Sequence, residues 1–228
     1  MLTGFLDRPT HVVYLPREYD PARRWPVILF LHGSGERGSD AMRATKIGVG
    51  TAIRDDRSLV PAIVVFPIAP EESRWLGAEA DAAMAALDAT IAEFSVDPDR
   101  VYATGLSMGG YGVLHLALAH PDRFAALVVV CGGLLPHETT TAVQRSPLIA
   151  GDVDPYAFVA RAIGQTPVWL FHGADDPVIP ADESRRLAQV LENARYTEYA
   201  GVGHNAWEKA YADRGMWRWL FEQRLRRR

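Results

Sequence analysis

The sequence is poor in cysteine, in long apolar runs and in positive charge. Its 228 residues include a single cysteine, Cys131, so no internal disulfide can form and folding requires no oxidising compartment. No apolar stretch approaches the roughly 18 residues of a membrane-spanning helix, and we therefore expect no integral membrane segment. The opening MLTGFLDRPT carries an acid and lacks a long apolar core, which is not the pattern of a signal peptide.

The charge balance argues against a nucleic-acid partner. The formal net charge is −4, and no basic face is apparent that would neutralise phosphates. The one basic cluster is the terminal RLRRR, residues 224–228, which we interpret as a solvated tail. We expect a cytoplasmic protein, or a secreted one if a signal peptide has been removed. Nothing in the sequence indicates an oligomeric state.

Strand-like and helix-like segments alternate almost from end to end, and we expect a single domain over residues 1–228. Uninterrupted apolar runs indicate central strands in WPVILFLHG, PAIVVFPIAP, VYATG, FAALVVVCGG and TPVWLFHG, and shorter strands are expected in HVVYLP and RYTEYA. Helices are predicted at residues 77–94, 107 to about 119, 181–194 and 216–226. Because a strand that is apolar throughout is buried on both faces, the pattern predicts an α/β fold of three layers around a mostly parallel sheet.

One long segment, residues 132–165, interrupts this alternation. It mixes Pro, Thr and Gly with short apolar patches. A long excursion between strands often covers a binding site, although plain surface decoration is an equal alternative. We therefore expect either a lid or a surface excursion here.

The sequence VYATGLSMGG places a serine where a buried strand turns into a helix. Its core GLSMG, from Gly105 to Gly109, fits the GxSxG pattern of a nucleophile elbow. At such a turn the two glycines are needed because side chains would collide with the neighbouring strand and helix. The alternative is that Ser107 simply caps the helix, but the strand before it and the helix after it favour a nucleophile.

A nucleophilic serine needs a base, and the base needs an acid that stabilises the imidazolium. His204 is the histidine of the seven that follows a candidate acid in a glycine-lined loop, so we predict it as the base. The acid is one of the adjacent pair Asp175 and Asp176, which follow a strand in FHGADDPVIP. The residues alone leave the choice open, since either aspartate could be a turn residue before the proline.

Two tryptophans and two charges lie close to these motifs. Trp75 follows the strand ending at Phe66, and we expect it either over the mouth of the pocket, in contact with substrate, or in ordinary packing. Trp207, three residues past His204, is expected to pack against the histidine loop. Glu36 and Arg37 are interpreted as a pair or network that holds their loop, and not as catalytic groups.

Taken together, HGSGERG, GLSMGG, HGADDPVIP and GVGHNAW resemble the carboxylesterase and phospholipase-like branch of the α/β-hydrolases, which includes bacterial serine esterases often labelled predicted peptidases. The resemblance covers nearly the whole chain, from GFLDR to GMWRWL. It implies that the acid is Asp176, four residues after His172. It also implies that the oxyanion is held by two backbone N–H groups, that of Met108 and that of Ser34, or of Gly35 in its place.

These observations predict a serine carboxylesterase that hydrolyses short- to medium-chain esters through an acyl-enzyme. A peptidase, thioesterase or lysophospholipase would use the same residues with a different pocket, and a catalytically dead binding protein is a remote alternative. The expected partner is a small-molecule ester. The mechanism requires no metal and no organic cofactor, and no zinc or calcium motif is present in the sequence.

Overall fold

The fold is built on one eight-stranded sheet, seen in a computed structural model that describes residues 4–151 and 153–225. The strands are β1 (Gly4–Asp7), β2 (His11–Leu15), β3 (Trp25–Leu31), β4 (Ile63–Pro67), β5 (Val96–Leu106), β6 (Ala126–Val130), β7 (Val168–Gly173) and β8 (Ala194–Tyr199). Their order across the sheet is β1-β2-β4-β3-β5-β6-β7-β8. β2 pairs antiparallel with both β1 and β4, and every other pairing is parallel. The predicted mostly parallel sheet is therefore confirmed.

Seven α-helices cover the two faces of the sheet in the described part of the chain. They are α1 (Val49–Asp55), α2 (Ala78–Glu93), α3 (Met108–Ala119), α4 (Pro155–Ile163), α5 (Asp182–Val190), α6 (Trp207–Ala212) and α7 (Arg214–Glu222). Three short 3-10 turns lie at Ser34–Glu36, Ala41–Lys46 and Arg57–Leu59. None of these helices is both long and apolar enough to cross a membrane.

The core is divided by the sheet into two apolar layers. Along β3, Val27, Leu29 and Leu31 face the layer under α2 to α5, whereas Ile28 and Phe30 face the layer under α1, α6 and α7. Since successive side chains of a strand point to opposite faces, a strand covered on both sides must be apolar at every position. This explains the uninterrupted apolar runs that predicted the central strands.

Several boundaries differ from the sequence prediction. The strand predicted at VYATG begins earlier, at Val96, so the preceding segment DPDR is part of β5. A register shift lies between Trp25 and Val27, which pair with Val96 and Val101, and it accommodates the extra residues. The closing helix was predicted at 216–226 but is observed at Arg214–Glu222. Residues 226–228 of the predicted basic tail lie outside the described residues.

The parallel pairing brings the carboxyl ends of β3, β5, β6, β7 and β8 to one edge of the sheet. In open α/β sheets, ligands bind at this edge, beyond the carboxyl ends of the strands. The motifs HGSGERG, GLSMGG, HGADDPVIP and GVGHNAW follow β3, β5, β7 and β8. Residues that are far apart in the chain therefore converge on one site.

Candidate active site

Ser107 occupies a strained turn between β5 and α3. It is the residue before the first turn of α3, its φ is 52° and its ψ is −121°, and it is 8% exposed. A positive φ is rare for a residue with a side chain, and such strain persists where the surrounding structure enforces it. The turn lifts the hydroxyl out of the sheet at the start of a helix, as the GxSxG pattern predicts.

The glycines two residues before and after Ser107 are required by close backbone contacts. A Cβ on Gly105 would lie 2.4 Å from the carbonyl oxygen of Gly109, and a Cβ on Gly109 would lie 1.9 Å from the carbonyl oxygen of Leu31. Both separations are far below any normal contact, so the strand and helix could approach this closely only with glycine. The predicted reason for these glycines is confirmed.

His204 connects the serine to an acid. Its Nε2 lies 2.9 Å from Ser107 Oγ, and its Nδ1 lies 2.7 Å from Asp176 Oδ2. The carboxylate can only accept, so Nδ1 carries the proton and Nε2 is free to accept from the serine hydroxyl. Trp207 packs edge-on against the imidazole with 5.5 Å between ring centroids, the loop-fixing contact that we predicted.

Asp176 reaches the imidazole whereas Asp175 does not. The side chain of Asp176 is fully buried, and its Oδ1 accepts hydrogen bonds from the N–H groups of Val178, at 2.8 Å, and Ile179, at 3.0 Å. Burial by itself would raise the pKa of Asp176, but hydrogen bonds from His172, His204 and these N–H groups outweigh it and hold that pKa well below its usual range. Asp175 is exposed.

The loop after β3 begins beside the serine and presents free N–H groups. A Cβ on Gly33 would lie 3.7 Å from Ser107 Cβ. In the described part of the chain, the N–H groups of Ser34, Gly35 and Met108 donate no hydrogen bond, as expected for the first residues of helical turns. They are therefore available to an oxyanion, although the role of each as a donor remains a prediction.

Side chains fix four consecutive carbonyls of this loop. The carbonyl of His32 accepts from Trp75 Nε1 at 2.9 Å, and that of Gly33 accepts from His32 Nδ1 at 2.6 Å. The carbonyls of Ser34 and Gly35 accept from Arg37 Nε at 3.0 Å and from Arg43 at 2.9 Å. In a trans peptide the N–H points opposite to the preceding carbonyl, so these four bonds also set the directions of the N–H groups of residues 33–36.

Two expectations about this loop need correction. Trp75 is 2% exposed and packs with its ring centroid 4.9 Å from that of His32, so it lies in the core and not over the mouth of the pocket. It is therefore not proposed as a substrate contact. Glu36 and Arg37 do not form an ion pair, because Arg37 donates to the carbonyls of Ser34 and Ser73. The network interpretation holds for Arg37, whose two hydrogen bonds fix the loop.

Sequence reasoning missed a second histidine beside the acid. His172, to which the sequence analysis assigns no role, lies with its Nε2 3.2 Å from Asp176 Oδ2. The signal was present, because in HGADD the histidine precedes the acid by four residues across the turn that follows β7. What the sequence could not indicate is that this imidazole points into the core.

The excursion 132–165 is tied to the helices beside the site. Tyr111 donates to the carbonyl of Leu135 at 2.8 Å, the carboxylate of Glu183 accepts from the N–H of Leu134 at 2.7 Å, and Arg74 Nε donates to the carbonyl of Thr141 at 3.2 Å. It contains helix α4. Whether this segment acts as a lid remains a prediction.

A serine at a strand-to-helix turn, at the carboxyl edge of a mostly parallel sheet between helices, defines the α/β-hydrolase class of enzymes. The family model described as "Putative esterase" matches residues 5–227, and the chain belongs to this esterase family. It is a carboxylic ester hydrolase, and several of its relatives are named esterases.

Individual relatives support the same class. The chain is 26% identical to feruloyl esterase B of Thermothelomyces thermophilus, over 93% of this chain and 82% of the relative. It is 28% identical to a poly(3-hydroxyoctanoate) depolymerase of Pseudomonas fluorescens, over 89% and 76%. Among solved structures, a thermostable esterase superposes with a TM-score of 0.78 at 29% identity, covering 98% of this chain and 63% of that one. Est1E of Butyrivibrio proteoclasticus shares the fold, with a TM-score of 0.68 at 15% identity, over 96% and 97%.

Proposed function

We propose that the protein is a serine carboxylesterase in which Ser107 is the nucleophile, His204 the base and Asp176 the acid. The observation that carries the proposal is the continuous hydrogen-bonded chain from Ser107 Oγ through both nitrogens of His204 to Asp176 Oδ2. This arrangement can deprotonate the hydroxyl as it attacks a carbonyl carbon and stabilise the imidazolium that results. Membership of an esterase family supports an ester as the substrate.

The reaction proceeds in two halves. Ser107 Oγ attacks the ester carbonyl while His204 Nε2 takes its proton, and the tetrahedral oxyanion is held by the N–H groups of Met108 and of Ser34 or Gly35. The intermediate collapses as His204 returns the proton to the leaving alcohol oxygen, which produces an acyl-serine. A water molecule then repeats the sequence, giving up one proton to His204, and the carboxylic acid leaves as Ser107 recovers its proton.

The proposed acyl group is short or medium, because no long apolar segment that could cover a long chain is evident in the sequence.

The experiment that tests the proposal is Ser107→Ala on a panel of esters. We expect the variant to lose turnover by several orders of magnitude, since it lacks the nucleophile, while its urea unfolding midpoint changes little. The wild type should be labelled by a fluorophosphonate and the variant should not. Retained hydrolysis or retained labelling in Ser107→Ala would show that the nucleophile lies elsewhere.

The substrate panel separates the alternatives that share this chemistry. It contains acetate, butyrate, octanoate and feruloyl esters, a hydroxyalkanoate oligomer, a thioester, a lysophospholipid and a peptide anilide. The feruloyl and hydroxyalkanoate esters are included because relatives are named for such substrates. We expect the highest kcat/KM on the acetate, butyrate or octanoate ester, whose acyl chains are short or medium. A maximum on the lysophospholipid, whose acyl chain is long, would overturn the proposed chain length but not the esterase chemistry.

A further inference from the structure

Four N–H groups surround the carboxylate of Asp176, and one of them belongs to a second imidazole besides that of His204. Oδ1 accepts from the N–H groups of Val178 and Ile179, and Oδ2 accepts from His204 Nδ1. The fourth donor is His172 Nε2, 3.2 Å from the same Oδ2 that His204 contacts. A carboxylate offers about four lone-pair directions, so this set saturates Asp176.

The surroundings of His172 determine which of its nitrogens carries the proton. Nε2 donates to the carbonyl of Ile179 at 3.0 Å and lies 3.2 Å from Asp176 Oδ2, a second acceptor, so it must carry a proton. Nδ1 lies 2.7 Å from Ser184 Oγ, a hydroxyl that can donate or accept. Nε2 therefore carries a proton in either charge state of the ring. The hydrogen bond between Nδ1 and Ser184 Oγ fixes the orientation of the ring.

Both groups behind Asp176 are completely buried. His172 and Ser184 have no exposed surface, and the side chain of Asp176 has none either. A buried donor and acceptor are costly when unpaired, so the arrangement of Ser184, His172 and Asp176 has little freedom to rotate. The ring of His204, by contrast, is partly exposed.

We propose that His172 is a positioning residue of the catalytic machinery, one that holds the Asp176 carboxylate toward His204 through the 3.2 Å contact between its Nε2–H and Oδ2. The inference rests on the proposed roles of Ser107, His204 and Asp176. His172 also shares Oδ2 with His204, so it weakens the pull of the carboxylate on the His204 imidazolium. Turnover therefore depends on His172 although this residue touches neither substrate nor reacting atoms.

Other titratable groups whose charge acts on this pair do not offer the same contact. Burial raises the pKa values of Tyr111 and Cys131, so both are neutral near pH 7. Glu198, beside His172 in the sheet, accepts hydrogen bonds from Arg185. None of the three hydrogen-bonds to Asp176, which leaves His172 as the side chain that can tune it besides His204.

A matched pair of variants separates this role from mere packing. In His172→Gln the side-chain amide reaches the position of Nε2 and keeps a donor to Asp176. In His172→Asn the side chain is shorter, so its amide reaches Ser184 but not Asp176. We expect kcat on an acetate ester to fall about 10- to 100-fold in His172→Asn, the loss typical of one charge-assisted hydrogen bond, and to stay within a few-fold of wild type in His172→Gln. KM should change little in both.

The pH profile provides the second readout. Without the donor from His172 the carboxylate holds the His204 imidazolium more strongly, so the acid-side midpoint of kcat/KM should move to higher pH in His172→Asn and not in His172→Gln. Equal losses in the two variants with unmoved midpoints would overturn the proposal.

If circular dichroism shows that neither variant folds, Ser184→Ala provides the test. We expect the same changes in kcat and in the acid-side midpoint at smaller size, and an unchanged kcat and midpoint in Ser184→Ala would overturn the proposal.

Failure of this inference is distinguishable from failure of the proposed function. If the wild type is labelled by a fluorophosphonate at Ser107 and Ser107→Ala is inactive, the catalytic proposal stands whatever the His172 variants do. If Ser107→Ala keeps its activity, the catalytic assignment fails first and the His172 result is explained by packing.

Discussion

At the residue scale, two neighbouring aspartates have opposite environments. Asp175 is exposed, and its N–H donates to the carbonyl of Val202. Asp176 turns its side chain into the core, where backbone N–H groups and two imidazoles surround it. The same side chain therefore serves as a surface group at one position and as the partner of His204 at the next.

We predict that Asp176→Asn lowers kcat by about 10³- to 10⁴-fold, because the amide NH2 would face His204 Nδ1 and donate to it, which favours the wrong imidazole tautomer. The amide oxygen can still accept from the N–H groups of Val178 and Ile179, so the fold should survive. Asp175→Asn is the matched control, with kcat close to wild type. Steady-state kinetics on an acetate ester measures both, and a large loss in Asp175→Asn alone would reverse the assignment.

Sequence reasoning identified His204 among seven histidines because chain order and a glycine-lined loop are visible in the sequence. It could not identify His172 as a contact of Asp176, since the direction of a buried imidazole depends on the residues that pack around it. The same limit applies to Trp75, whose indole donates inward to the carbonyl of His32. Residue types and their order were readable, whereas side-chain direction was not.

At the element scale, the elbow depends on how closely α3 approaches β3. The carbonyl of Leu31 lies where a Cβ on Gly109 would be, so any side chain at this position must move the helix or the strand. Helix α3 is apolar along nearly its whole length and buried from Met108 to Ala117. It cannot shift without disturbing the layer beneath it.

We therefore predict that Gly109→Ala destabilises the protein by at least about 3 kcal/mol, the upper range for overpacking a core. Activity per folded molecule should also fall, because the turn that presents Ser107 is distorted. Urea unfolding followed by circular dichroism measures the stability. Gly151→Ala is the control, since a Cβ there meets nothing within 4 Å, and equal stability of the two variants would contradict the argument.

The elements that sequence reasoning missed are short or atypical. Helices α1 and α6 have seven and six residues, too few for a clear helical period, and β1 is a four-residue strand with a half-buried pattern. The predicted strand VYATG omits the beginning of β5, because DPDR has the composition of a turn. Its pairing with β3, through Val96 and Trp25, is a tertiary contact that overrides this local preference.

At the scale of the whole molecule, buried neutral histidines make folding sensitive to acid. Burial lowers the pKa of His32 from 6.5 to about 4. Its Nε2 accepts from the N–H of Ala69 at 3.0 Å, which an imidazolium could not do. Burial also lowers the pKa values of His11 and His115. A histidine whose pKa is lower in the folded state binds its proton first in the unfolded chain, so stability falls as pH falls through this window.

We predict that the free energy of unfolding decreases by about 2 kcal/mol between pH 8 and pH 5 through His32 alone. Urea midpoints at half-unit steps of pH measure this, above the range in which the carboxylates titrate. The double variant His11→Gln and His115→Gln removes the two smaller contributions and should keep most of the slope. A flat midpoint in that variant would mean that His32 does not contribute the pH dependence.

The sequence by itself determined the sheet, its parallel character, the nucleophile elbow and the order of the three candidate catalytic residues. Apolar periodicity and the glycine spacing are local properties, and local sterics and burial act directly on them. Only the tertiary structure decided which aspartate meets His204, that His172 lies behind it, that Trp75 is internal, and that four loop carbonyls are held by side chains. These depend on the directions of side chains from separate strands that meet at one edge of the sheet, and no short stretch of sequence encodes such a meeting.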